Sequence, residues 1–244
     1  MLPGLYSAAS GLAAQQEQLD AIGNDLANVS TPGYRSERVA FSDLLYSTSN
    51  LAGDETTVGA GSRSGVLGAS QTQGSIKETG DPLNVAIEGE GYFEVTRASG
   101  TVSLTRDGAF GVDAGGSIVT SDGSRLSPPI KLGKGTLVSD LRIGQDGTVM
   151  AGTKKLGQIK LFTVVAPDRL LSDGAGGFTT TSESGAPQAI AKPRLLQGSL
   201  EESNVDLGRE MSLMISTQRD FQMSSNAIQT ENQMMTIANQ LRPA

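Results

Sequence analysis

Large apolar side chains recur every seventh residue at both ends of the chain: Leu5, Leu12, Leu19 and Leu26 near the start, and Leu207, Met214, Phe221, Ile228 and Met235 near the finish. A straight helix advances about 3.6 residues per turn, so a strict seven-residue stripe drifts by roughly 20° per heptad unless helices wrap around one another. About four heptads at each end is long enough for the period to carry weight. The pattern predicts two long terminal helices, paired in coiled-coil fashion as one module. Ordinary amphipathic helices of a single globular core are the plainer alternative.

Further apolar residues on the second helix point away from that alternative. Met223 and Ile237 fall about 200° from Phe221 and Met235, and Leu213, Ala227, Met234 and Leu241 form a neighbouring stripe. A single partner helix covers a stripe about 100° wide or somewhat more, so the remaining apolar surface predicts packing between subunits. In the first helix, Gly4, Gly11 and Gly23 each cost about 1 kcal/mol relative to alanine, while Ala8, Ala9, Ala13 and Ala14 let a second helix approach closely. Such a helix is expected to order on assembly.

The predicted first helix runs from 4 to 29 and stops at Ser30-Thr31-Pro32-Gly33, because proline disfavours helical backbone in the residue before it. Residues 34–46 are irregular with apolar anchors Val39, Phe41, Leu44 and Leu45, and the Ser/Thr/Gly-rich tract 47–74 reads as a mobile or extended connector. From Pro82 the period becomes two: Leu83, Val85 and Ile87, then Tyr92-Phe93-Glu94-Val95. Asp107-Gly108, Asp122-Gly123 and Asp146-Gly147 read as tight turns needing positive φ. Seven to ten short strands are expected up to Leu161–Val165, with Leu195–Leu200 as a last strand and Ser203 capping the final helix, Asp206 three residues on. The expected class is α+β: a helical module of 1–34 with 203–244, an extended linker region 35–81, and an all-β domain 82–202.

Only 4% of the 244 residues are aromatic and 31 are glycine, so the middle must be built from small residues. A net charge of −7 and the absence of any basic run in the sequence argue against nucleic acid as a partner. With neither cysteine nor histidine, histidine-based nucleophilic triads and the common transition-metal sites are lost. The Asp-Gly pairs lack the Asp-x-Asp-x-Asp-Gly run of a calcium loop and read as turns. Glu88 and Glu90 would share one strand face, which is the solvated side of a sheet before it is an acid/base pair. Gly59–Gly65 has no strand-to-helix setting for phosphate and reads as linker. Asn28-Val29-Ser30 matches a glycosylation acceptor by accident of a helix end. No stretch is long enough to span a bilayer, and no secretory signal is expected at the start. Neither catalytic, cofactor nor metal residues are expected.

Leu19-Asp20-Ala21-Ile22-Gly23-Asn24 followed by Leu26-Ala27-Asn28-Val29-Ser30-Thr31-Pro32-Gly33-Tyr34 resembles the N-terminal signature of bacterial flagellar rod and hook proteins, with Ala27, Asn28, Pro32, Gly33 and Tyr34 as its marked positions. The likeness continues through Phe41–Tyr46, Val85–Phe93, Thr105–Phe110, Gly198–Asp206 and Met211–Ile215. It implies an axial subunit of a hollow shaft: terminal helices lining the tube, a β domain outside, and passage through a type III export apparatus without a cleaved signal. The partners it implies are copies of the chain itself, other rod and hook subunits and the export apparatus, in the cell envelope. The chain is too short for a hook protein's outer domains, and within the rod the reading leans to the distal over the proximal segment. From the residues alone, a secreted oligomeric adhesin or carbohydrate-active enzyme with an active β middle stays open.

Overall fold

The computed structural model describes residues 2–44, 47–51, 54–58, 61–133, 136–174 and 176–240. The chain forms two compact units: residues 1–27, 37–67 and 206–244 make the first, and 28–36 with 68–205 the second.

The first unit holds both long helices. Helix α1 covers Leu2–Ala27, two residues earlier at each end than expected, and α2 covers Leu207–Gln240; at 1.5 Å per residue these are roughly 39 and 51 Å long. α1 has no acidic residue in its first turn and no basic residue in its last, so its dipole is uncompensated. α2 is capped differently from expectation. Asp206, not Ser203, is the N-cap: its Oδ1 accepts from the amides of Gly208 at 2.9 Å and Arg209 at 3.1 Å. Asp206 adjoins the first helical residue and so reaches the orphan second and third amides, whereas the Ser203 hydroxyl accepts from Val205 N at 3.3 Å ahead of the helix. Along α2, Ser212, Thr217, Thr230 and Thr236 donate their hydroxyls to the carbonyl four residues earlier.

Both the segment 34–46 read as irregular and the tract 47–74 read as a mobile or extended connector contain strands, because their backbone groups pair with each other across the tract. β1 (Glu37–Asp43) pairs with β4 (Ser62–Ala69), and β2 (Ser47–Leu51) and β3 (Asp54–Val58) make an antiparallel hairpin in register from Ser47↔Val58 to Leu51↔Asp54. Leu45, Tyr46, Gly59 and Ala60 lie outside the described residues.

The second unit is all β. In chain order its strands are β5 (Ile76–Glu78), β6 (Val85–Ile87), β7 (Tyr92–Thr96), β8 (Val102–Thr105), β9 (Gly111–Val112), β10 (Ile118–Val119), β11 (Arg125–Ser127), β12 (Leu141–Ile143), β13 (Thr148–Ala151), β14 (Lys154–Gln158), β15 (Leu161–Thr163), β16 (Leu171–Ser172), β17 (Gly177–Thr179), β18 (Gln188–Ala189), β19 (Leu195–Gln197) and β20 (Ser199–Glu201). They are shorter and more numerous than expected, because turns and glycines interrupt the apolar runs. The main sheet runs β16-β17-β8-β7-β11-β10-β9, with β15 pairing both β7 and β18. β12-β13-β14 form a separate antiparallel sheet, and the pairs β19-β6 and β20-β5 bring the late strands beside the early ones. The expected last strand is thus broken in two by Gly198, at φ +74°.

Alternation along β6, β7 and their neighbours drives one apolar core around Val85, Ile87, Phe93, Val149, Ile159, Leu161 and Leu195. Phe93 meets Phe110 edge to face at a centroid distance of 5.0 Å. A second cluster gathers Tyr92, Leu104, Val164, Leu170 and Phe178. Two of the three Asp-Gly pairs are the expected turns, with Gly123 and Gly147 at φ +82° and +81°. Asp107-Gly108 is not: a Cβ on Gly108 would meet Val85 O at 1.8 Å, so this glycine serves close backbone approach, with Val85 N donating to Gly108 O. Glu88 and Glu90 sit beyond the end of β6 in exposed loop rather than on a strand face, and Glu88 pairs with Arg194 at 2.9 Å.

Candidate assembly interface

Within the first unit α1 and α2 lie against each other, with Gln15 Nε2 donating to Ser224 Oγ at 3.5 Å. The protected seam of α2 consists of Glu210, Met214, Thr217, Phe221, Ser224, Ile228, Glu231 and Met235, all buried or half-buried and spaced alternately by four and three. The apolar residues expected at every seventh position are therefore one half of the seam. The other half is polar, and Thr217 is its most buried member.

On α1 the most protected positions are Ala14, Ala21, Ile22 and Asp25, while Leu12, Leu19 and Leu26 are half-buried. The reason is a second neighbour for α1. Ser62 N donates to Ser10 Oγ at 3.2 Å, Ser64 Oγ donates to Glu17, and Glu37 N donates to Asp25 Oδ1 at 3.0 Å, so one stripe of α1 faces β1 and β4. Small residues on that stripe let strands approach. Leu207 is exposed at the first position of α2; Leu241 and the side chain of Leu5 lie outside the described residues.

Away from its seam α2 leaves large apolar side chains uncovered among polar ones. Met211, Ile215, Met223, Met234 and Ile237 are exposed, Met223 by 62% and Ile237 by 56%. Three carboxylates meet where the helices and β1 come together: burial and then the neighbouring Asp25 raise the Glu37 pKa, and the same two causes, in the same order, raise that of Glu210.

The signature residues following α1 belong to the second unit, except Ala27, which ends the helix. Asn28 accepts from Thr31 through both its carbonyl (3.1 Å) and its side chain (3.2 Å), forming the turn that carries Pro32. Gly33 is at φ +68°, its amide donates to Glu201 O at 2.8 Å, and a Cβ there would sit 2.4 Å from the Arg106 carbonyl carbon. Only glycine fits. Tyr34 O accepts from Asn204 N at 3.3 Å. Next to this segment Arg35, Arg106 and Glu201 are 3%, 4% and 2% exposed. Arg35 Nη2 lies 2.8 Å from Glu201 Oε1 and Arg106 Nη1 3.0 Å from Oε2. Sequence patterning did not single out this triad; Arg106 and Glu201 fall inside quoted motifs, but nothing in their spacing joins them.

Three family models match, in order, the same segments that build the two units. A flagella basal body rod protein model covers residues 5–35, a flagellar hook protein FlgE/F/G D1 domain model covers 86–151, and a flagellar basal body rod FlgEFG C-terminal model covers 196–241. The flagellar basal-body rod protein FlgG of Borreliella burgdorferi is 35% identical, with 99% of each chain aligned. The FlgG of Bacillus subtilis is 34% identical over 96% of this chain and 97% of its own. The chain belongs to the flagellar basal-body rod protein family. A FlgF of Mesorhizobium japonicum is also similar, at 29% identity over 91% of this chain. As a member of the family the chain is a structural protein of the bacterial flagellum, and its first and last matched segments contain most of α1 and all of α2.

Proposed function

We propose that the chain polymerises into the distal part of the rod, the hollow drive shaft that carries torque outward and passes exported subunits through its bore. The observation that carries this reading is the set of large Met and Ile side chains that α2 leaves exposed, among polar residues, after α1 has packed, which makes a helix suited to further neighbours. On this reading α1 and α2 form the coiled-coil-like module, Leu12, Leu19, Leu26, Met214, Phe221, Ile228 and Met235 anchor it, and neighbouring copies cover Met211, Ile215, Met223, Met234 and Ile237. The β unit faces outward, and the work is mechanical, without catalysis. Full-length similarity to several FlgG proteins favours the distal segment. Export through the type III apparatus without a cleaved signal, and a place in the cell envelope, complete the proposal.

The test is deletion of the gene, with motility assays and electron microscopy of isolated basal bodies. Arrest at the rod, rescued by the wild-type gene and not by Ile215→Asp or Met223→Asp, is the expected result. Normal motility with intact rods overturns the proposal.

A further inference from the structure

The chain enters the second unit through 28–36 after α1, leaves it for 37–67, returns at 68 and leaves again through 199–205 towards α2, so that 28–36 and 199–205 are the unit's first and last segments. Both converge on one carboxylate. Glu201 holds Arg35 through Oε1 at 2.8 Å and Arg106, from the end of β8, through Oε2 at 3.0 Å. Its Oε1 also accepts the Gly74 amide at 3.0 Å, and its backbone carbonyl the Gly33 amide at 2.8 Å. Arg35 in turn donates to Thr72 O, and Asn204 bridges Thr72 O at 2.9 Å and Ser36 N at 2.8 Å. Arg106 reaches Gly89 O at 2.9 Å and lies over the Tyr92 ring at 5.3 Å.

We propose that Arg35, Arg106 and Glu201 form a clasp that fastens the first and last segments of the β unit, and the segment 71–74, to the end of β8. Two features set the clasp apart from the apolar core. It is polar and almost wholly desolvated, where removing one charge strands its partners. It also has two cations for one carboxylate, so Glu201 is indispensable to both arginines, whereas each arginine is attached to the fold by a carbonyl as well. The clasp joins segments that otherwise share few ladder bonds, since β20 and β5 pair over three residues. Resting on the rod reading, the same clasp is where torsion arriving along the chain from α1 or α2 enters the β unit.

The experiment is hydrogen exchange on the full chain carrying Glu201→Gln. Gln keeps the shape but sets an amide donor against a guanidinium. Exchange at Gly33 and Gly74 should rise at least about tenfold while core amides of β7, β8 and β13 change by less than about twofold. Unchanged exchange at Gly33 and Gly74 overturns the clasp, and so does equal acceleration throughout the unit, which would make the triad an inseparable part of the core. If Glu201→Gln does not fold, Arg35→Gln leaves Arg106 and Glu201 as a neutral pair and must release 28–36 and 71–74 in the same selective way. In cells, Glu201→Gln should build full-length rods yet lose at least about half of its swimming speed, relative to wild type, as viscosity is raised. Speed retained under load, or rods that never form, overturns the mechanical role while leaving the rod reading intact. Normal rods in the deletion strain overturn the rod reading instead.

Discussion

The β unit and the helical unit solve opposite problems. In the β unit Val85, Ile87, Phe93, Val149 and Ile159 are completely enclosed by the chain itself. In the helical unit Met211, Ile215, Met223, Met234 and Ile237 of α2 stay exposed, and the seam it shares with α1 alternates apolar residues with Glu210, Thr217, Ser224 and Glu231. One region is finished by its own sequence; the other leaves large apolar side chains uncovered, which on the proposed rod reading are covered by neighbouring copies. A protein whose stable part and adhesive part are separate can tune assembly without endangering its fold.

The sharpest way to break this contrast is to damage the finished region. Phe93→Ala should cost about 3–5 kcal/mol in the β unit, read as a lowered denaturation midpoint followed by near-ultraviolet or fluorine signals, with the helical signal of α2 little changed. Gly33→Ala comes next: a left-handed backbone with a Cβ 2.4 Å from the Arg106 backbone must shift, and a loss of at least about 2 kcal/mol is expected in the same denaturation experiment. Asp206→Ala removes the α2 cap and should cost about 1 kcal/mol, seen as lower helicity by circular dichroism. Ile215→Asp or Met223→Asp should move the stability of the isolated chain by no more than about 0.5 kcal/mol. Either should nevertheless abolish polymerisation by sedimentation; polymers formed as well as by wild type would remove the contrast.

The smallest expected effect is a difference in acid response. Glu37 and Glu210 have raised pKa values in the folded chain, so the folded state binds their protons more tightly than the unfolded chain does. Their contribution is full below the ordinary glutamate range and is lost as pH rises through the raised values. In the β unit Asp113, Asp146 and Glu202 are held low by hydrogen bonds from Ser117 N, Thr148 N and the Ser75 hydroxyl. Their contribution is present above the ordinary carboxylate range and lost as pH falls through the lowered values, with Asp107, raised by burial, opposing it. Mild acidification should therefore firm the helical unit modestly before stronger acid loosens the β unit, in thermal melts recorded from pH 7.5 downwards. Glu37→Gln with Glu210→Gln should erase the first effect.

Periodicity made the helices and the alternating core legible. Heptad spacing found Met214, Phe221, Ile228 and Met235, because apolar residues announce themselves. It passed over Thr217 and Ser224, whose burial depends on what α1 brings opposite them. Small size alone assigns Ala14 to a second helix and says nothing of Ala21, yet both lie buried on the stripe of α1 that carries Ser10 and Asp25, whose side chains accept from β4 and β1. Asp122-Gly123 and Asp146-Gly147 obeyed local turn chemistry, whereas Gly108 answers to Val85, more than twenty residues away, and reads like any other glycine. The Arg35, Arg106 and Glu201 triad is the extreme case: three charges separated by 71 and 95 residues, each ordinary alone, become a unit only through the pairing of β20 with β5 and the turn at Gly33.

The hydroxyls that α2 turns back on its own carbonyls bear on what surroundings it can enter. Ser212, Thr217, Thr230 and Thr236 already have an acceptor one turn away, and from Phe221 to Gln240 the only ionisable side chain is Glu231. Such a rod of backbone carries its own solvation. Those hydroxyls can therefore be covered by a neighbour with little desolvation penalty, whereas the amides of Gln222, Asn226, Gln229, Asn232 and Gln233 on the same stretch need partners from whatever covers them.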